Sequence, residues 1–309
     1  MSDANNLLRS LKPKDKEPNS VSTLTKWIDS AERQLEVDIP GRLAWLVSTS
    51  VAVAKLQQVV DSSSVPRFVL KGGTLLQYRL GLIARATKDI DGIVRGDIDS
   101  FLRSLDIMLR TPWGPISFRR SEIEEINVPN KMVNPRRFHL SLTLRGKTWR
   151  RIQIEISPDE GTAGRTIEAF EPPSLSSFGI PTPDMLIGLH LSYQIAQKIH
   201  ASSDPHAPPE HVNDRARDLV DLILLQKLVA DTGQPSKTEI RSALQDIFES
   251  RAIEIRKTGG VERNLPAQIV AYPDWSRDYA KAAQSTGVAL HMDQAATQVN
   301  TWIIDILSP

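Results

Sequence analysis

The sequence contains no cysteine. That excludes disulfides, thiolate metal sites and cysteine nucleophiles, and it fits a reducing compartment. Charge of one sign is not in excess either: 38 Lys and Arg stand against 37 Asp and Glu, a net charge of +1. Any nucleic-acid binding must therefore come from a local patch rather than from bulk charge. No apolar run approaches the roughly 18 residues that a membrane span needs. The opening "MSDANNLLRSLKPKDKEPNS" lacks the apolar core of a signal peptide, so a cytoplasmic chain without membrane association is expected. Aromatics are sparse at 6%, and no internal repeat is visible. What is present is an ordinary 40% of hydrophobic residues in 309, enough for one large domain or two modest ones.

The pattern changes along the chain. Residues 1–20 are polar and read as a flexible tail. "STLTKWIDSAERQLEV" sets Leu24, Trp27, Ile28, Ala31 and Leu35 on one helical face, and "GRLAWLVSTSVAVAKLQQVV" is apolar enough for a buried helix. "RFVL" is a short strand broken by Gly72 and Gly73, after which Thr74 can cap a helix. "KDIDGIV" alternates with a period of two; Asp97 caps the next helix; "ISFRRSEIEEI", "RFHLSLTL" and "TWRRIQIEIS" are strand-like. A Pro/Ser-rich connector follows, and everything after Pro183 reads as helix. The expected class is α+β: a mixed sheet with flanking helices over residues 21–174, then a helical domain over 175–309.

Asp89 and Asp91 stand one residue apart on a strand and so share a face. Two such carboxylates repel, and a magnesium or manganese ion is the usual compensation, since it accepts hard oxygen ligands and keeps several waters. Glu155 in "IQIEIS" is the best third carboxylate. The preceding "KGGT" (Lys71, Gly72, Gly73, Thr74) offers backbone N–H groups and a helix N-terminus to a triphosphate. Together these parts describe phosphoryl or nucleotidyl transfer with an NTP as co-substrate. Each part alone has a plainer reading: a Gly-Gly is a turn, and an Asp-x-Asp is a solvated strand edge. Their succession in one strand–turn–helix–strand unit favours a site.

"LKGGTLLQYRL…RATKDIDGIV" resembles the AbiEii/MenT nucleotidyltransferase toxins, a branch of the DNA polymerase β-like nucleotidyltransferase superfamily. The match runs from about residue 66 to 225 in the family's order. It takes in Arg85 and Thr87 before Asp89 and Asp91, Glu155 on a later strand, Lys198 in "KIHA", and Arg215, Arg217, Asp218 and Asp221 in "RARDLVD". The family more often has aspartate at the position of Glu155. The resemblance implies a polymerase β-like sheet and a metal-dependent toxin of a type IV toxin–antitoxin system with a separate antitoxin protein. It also implies transfer of a nucleotide to RNA, the tRNA 3′ end being favoured. Catalytic roles then fall to Asp89, Asp91, Lys198 and Asp218, with metal on Asp89, Asp91 and Glu155. Nucleotide binding falls to Lys71, Gly72, Gly73, Thr74, Arg85 and Thr87, with Arg215 and Asp221 as further candidates. A protein or small-molecule acceptor, and a non-catalytic binding module, are the alternatives.

Three further features lie outside the motifs. His190, His200, His206 and His211 match no zinc spacing and read as solvated histidines. Trp27 and Trp45 fit core spacing; Trp113 and Trp149 are undecided between core and base stacking. Arg119, Arg120, Arg136, Arg137, Arg145, Lys147, Arg150 and Arg151 cluster in the strand region. They form either a strip for an RNA backbone or charge that protects sheet edges.

Overall fold

The computed structural model describes residues 8–37, 39–81, 84–128, 131–209 and 211–308. Helix α1 (Val21–Gln34) buries Leu24, Ile28 and Ala31, the stripe that its spacing predicts. Helix α2 (Arg42–Gln57) is buried along nearly its whole length, which matches its lack of a polar face. Then come β1 (Phe68–Lys71), α3 (Gly72–Leu80), β2 (Asp89–Val94) and α4 (Ile98–Met108). Asp97 caps α4, accepting from the Ser100 N–H. Strands β3 (Ile116–Arg120), β4 (Glu124–Glu125), β5 (Arg136–Leu144), β6 (Lys147–Pro158), β7 (Ile167–Phe170) and β8 (Leu186–Leu189) complete one eight-stranded mixed sheet. Its order is β3-β5-β6-β2-β1-β8-β7, with β4 on β5. Strand β2 runs antiparallel to β1 and parallel to β6.

Burial separates the sheet into two regions. Phe68, Val69 and Leu70 of the central strand β1 are all fully buried, as expected when both faces are covered. Strands β5 and β6 instead alternate: Phe138, Leu140, Leu142, Ile152, Ile154 and Ile156 are buried, while the residues between them are not. One face of that half thus closes the core and the other stays polar.

Two expectations are corrected. The helices do not begin at Pro183. Residues Leu186–Leu189 form β8, pairing parallel to β1 and antiparallel to β7, and the helix starts at Leu191. A four-residue apolar run suits a buried strand as well as a helix turn, and periodicity cannot separate them. Residues 8–20, expected as a flexible tail, are docked. Leu8 and Leu11 are buried, the Leu11 carbonyl accepts from Ser177, and Lys14 N–H donates to Ser176. Residues 1–7 of that expected tail lie outside the described residues.

The second half is helical from Leu191: α5 (Leu191–Ser202), α6 (Ala216–Thr232), α7 (Lys237–Thr258), α8 (Ser276–Thr286) and α9 (Met292–Leu307). Helix α5 packs on α6 and α7, and α6 packs on α8 and α9. Their apolar residues join those of the sheet in one continuous core. Among the described residues no helix is long and apolar enough to cross a membrane.

Candidate active site

The acidic pair sits where β1, β2 and β6 run side by side. Register places Asp91 opposite Lys71 of β1 and Glu155 of β6, and Asp89 opposite Gln153. Thr87 donates to Asp89 Oδ1 at 2.7 Å and fixes that carboxylate. Burial, then the charge of Asp89, push the Asp91 carboxyl up to about 7; Lys71 works the other way and Glu155 adds to the repulsion. Neither aspartate forms an ion pair among the described residues. The Lys71 ammonium, opposite Asp91, donates instead to Ser157 Oγ at 2.8 Å. Desolvation lowers its pKa, partly offset by Glu160 and Asp91.

The glycines of the turn are required by contact. Gly72 has φ of +68°, and a Cβ there would collide with the Asp91 carboxylate. A Cβ at Gly73 would stand 3.0 Å from Thr87 Oγ1. Both positions therefore let the backbone lie against the acidic pair. Thr74 differs from expectation. Helix α3 already starts at Gly72 with Lys71 as its cap residue. The Thr74 hydroxyl is buried and donates to the Asp89 carbonyl at 2.7 Å, so it anchors β2 rather than capping a helix or facing a ligand.

Glu155 is engaged elsewhere. Arg137 donates to its Oε1 at 2.8 and 2.7 Å through Nε and a terminal nitrogen, and Gln153 adds a third bond at 2.9 Å. Among the described residues no three acidic or histidine side chains gather closely enough to hold a metal. The donor set therefore fits a divalent ion through Asp89 and Asp91. These are two hard carboxylates that form no ion pair among the described residues, and such an ion completes its shell with water and phosphate oxygens. It does not fit through Glu155 unless the Arg137 pair opens.

The helical half contributes a different arrangement. Lys198 of α5 donates to Asp218 Oδ1 at 2.6 Å and Asp221 Oδ2 at 2.7 Å, both on α6. Asp221 is fully buried and also accepts from Arg85, at 3.0 Å from Nε and 3.0 Å from a terminal nitrogen. Arg85 thus reaches Asp221 rather than standing free for a nucleotide. Arg215 lies 3.7 Å from Asp218 but is half exposed, and Arg217 faces Asp278 on α8. Burial opposes charge on Lys198, yet Asp218 and Asp221 outweigh it and raise its pKa. Burial likewise opposes charge on Asp218, and Lys198 and Arg215 outweigh it, so its pKa falls.

Two groups of residues escape sequence reasoning. Gln194 donates to the Gly72 carbonyl at 3.1 Å and ties α5 to the glycine turn. It precedes Lys198 by four residues and so shares its helix face, the one signal that marks it. Behind Lys71, the buried Glu160 pairs with Lys131 at 3.2 Å and Arg251 of α7 at 2.6 Å, and Lys131 also pairs with Glu254 at 2.8 Å. Those partners come from three distant stretches, which no local pattern announces. His200 is not solvated as expected: it is buried against Phe248 and Arg263, and burial with nearby arginines pushes its pKa down to about 2. His206 stacks on Tyr272. Trp27, Trp45, Trp113 and Trp149 are partly buried against the core.

The family model described as nucleotidyl transferase AbiEii toxin, type IV toxin–antitoxin system, matches residues 55–298. No curated protein matches the sequence. Among solved structures, the chain is similar to MenT4, nucleotidyltransferase toxin Rv2826c from Mycobacterium tuberculosis H37Rv. That match has 15% identity and a TM-score of 0.49, covering 94% of this chain and 99% of that one. An antigenic nucleotidyltransferase-like protein from Paracoccidioides brasiliensis is similar at 16% identity and a TM-score of 0.36, covering 69% and 91%. The family match spans most of the chain and takes in the glycine turn, the acidic pair, Lys198 and the α6 aspartates, so the chain belongs to the AbiEii family of nucleotidyltransferase toxins of type IV toxin–antitoxin systems.

Proposed function

We propose that this nucleotidyltransferase toxin transfers a nucleoside monophosphate from an NTP to the 3′ end of tRNA and thereby blocks translation. The observation that carries the reading is the like-charged pair Asp89 and Asp91, left without an ion pair beside a glycine turn and two lysines. The N-terminus of α3 and the N–H groups of Gly72 and Gly73 suit phosphate oxygens. Lys71 and Lys198, whose charges both act on Asp91, add point charges. Arg85 and Asp221 act as positioning residues that hold Lys198, and Thr87 orients Asp89. Asp89 and Asp91 would hold the divalent cation, which when bound neutralises phosphate charge and makes the attacking hydroxyl more acidic. The terminal ribose hydroxyl gives its proton to water and bonds to the α-phosphorus; the bond from that phosphorus to the bridging oxygen breaks, and pyrophosphate leaves. The family also implies a separate antitoxin, so toxicity is expected when that partner is missing, in the cytoplasm where tRNA resides.

The test is incubation of the full chain with α-labelled NTPs, Mg²⁺ and total tRNA. Label is expected on RNA, reduced roughly 10³-fold or more in Asp89→Ala, the equivalent of several kcal/mol of lost charge stabilisation. Label on protein or on a small molecule instead would reject the RNA acceptor. Undiminished labelling by Asp89→Ala would reject the site.

A further inference from the structure

The register of β3, β5 and β6 sorts the arginines that the sequence places in one cluster. Residues paired across neighbouring strands point to the same face. Asp91 pairs with Glu155, and Glu155 with Arg137. Asp89 pairs with Gln153, and Gln153 with His139. One step further along, Arg151 pairs with Ser141, and Ser141 with Arg119. These are three successive rows on a single face, and the first two begin at the acidic pair. No residue of the three rows is fully buried, and Arg119 and Arg151 are exposed. Neither forms an ion pair among the described residues. Arg120 points the other way and binds Asp106 of α4 at 2.9 and 2.8 Å, and Arg136 is held by Glu125 and the Asn134 carbonyl.

We infer that the acceptor polynucleotide lies across this open face of β6, β5 and β3, with its phosphates on Arg119 and Arg151 and its 3′ end at Asp89. The inference rests on the acceptor being RNA and adds where that RNA sits. Three observations carry it. First, the face is complementary to a polyanion around its third row: two unpaired guanidiniums flank the small hydroxyl of Ser141, and the carboxylates that the register puts beyond β2, Glu155 and Glu124, both lie in the first row beside Arg137, which binds Glu155. Second, the rows contain no large apolar side chain, which a protein partner would need as an anchor. Third, the nucleotide-binding candidates Lys71, Gly72 and Lys198 come from β1, α3 and α5, while β6 flanks β2 on its other edge. In-line displacement sets the attacking and leaving oxygens on opposite sides of the α-phosphorus, so an acceptor opposite the triphosphate approaches over β6. From β2 to β3 is three strand spacings, roughly 14 Å, the reach of a few nucleotides of extended chain.

The experiment compares Arg119→Glu/Arg151→Glu with Arg103→Glu/Arg277→Glu in the full chain. The second pair makes the same charge change on exposed faces of α4 and α8. Binding of labelled total tRNA is measured across a salt series, together with NTP-analogue affinity and the kinetics of label transfer. The Arg119/Arg151 pair is expected to weaken RNA binding by about tenfold or more and to flatten the salt slope by about one to two. KM for RNA should rise while kcat and NTP-analogue affinity stay within about twofold. The control pair should match wild type, and Arg119→Ala/Arg151→Ala should move in the same direction by less. If wild type binds and labels RNA but both pairs behave alike, the face is wrong and the proposed function stands. An equal loss of NTP-analogue affinity would also overturn the face. If wild type neither binds nor labels RNA, both fall together.

Discussion

The two halves of the candidate active site treat charge in opposite ways. On β2, Asp89 and Asp91 are set side by side, one of them with its carboxyl pushed up to about 7 by burial and repulsion. On α5 and α6, Lys198, Asp218, Asp221 and Arg85 alternate in sign at 2.6–3.0 Å, so each buried charge meets its opposite. A buried charge without a partner costs several kcal/mol, and a paired one costs far less. The comparison teaches that the helical side is complete as it stands and presents Lys198 in a fixed place. The strand side sets two carboxylates together without an ion pair, the arrangement on which the proposed cation site rests.

Breaking the paired side should give the largest effect on stability. Asp221→Asn removes the partner of two buried cations, and its cost is expected at about 3–5 kcal/mol in urea unfolding. Asp218→Asn, nearer the surface, is expected to cost less, roughly 1.5–3 kcal/mol. Equal costs would mean that Asp221 is not the hub of the network.

Relieving the strained side should do the reverse. The Asp91 carboxyl has a folded pKa of about 7 against an ordinary 3.8. Its stability contribution is therefore favourable only while protonated and is lost as pH rises through 7. Asp91→Asn is expected to stabilise the metal-free protein by about 4 kcal/mol at pH 8, with the gain fading toward pH 4. Added Mg²⁺ with an NTP analogue should narrow the gap, because only wild type gains from the ion. His200 sharpens the contrast with the opposite slope. Its folded pKa of about 2 lies below the ordinary 6.5, so its contribution is complete above 6.5 and lost as pH falls. The expected loss is about 1.4 kcal/mol per pH unit below that point, and His200→Asn should remove it in melts between pH 7 and 5.

Much of the strand side is legible in the sequence because its logic is local. A period of two in "KDIDGIV" puts both carboxylates on one face, and the glycines before it, readable as a plain turn or as a close backbone approach, lie against Asp91 and Thr87 in the structure. The order of motifs extends that reading to Lys198 and the α6 aspartates. What stays hidden depends on distant partners. Nothing near Glu155 says that Arg137 will claim it, since their adjacency is created by strand pairing. Thr74 follows a glycine turn as a capping residue does, yet the helix begins two residues earlier and the hydroxyl turns to β2. Leu8 and Leu11 are two apolar residues in a polar stretch, too few to declare a docked segment. The helix Ser276–Thr286 lies in a region where no motif directs attention.

Whether Asp89 and Asp91 hold a cation is tested by a Mn²⁺ titration followed by electron paramagnetic resonance, with a non-hydrolysable NTP analogue present. Wild type is expected to bind the ion, with affinity falling about 10²-fold in Asp89→Asn and in Asp91→Asn. Glu155→Gln, whose carboxylate is held by Arg137, should matter less. Unchanged Mn²⁺ affinity in both aspartate variants would contradict the account, because the repulsion on β2 would then serve no cation.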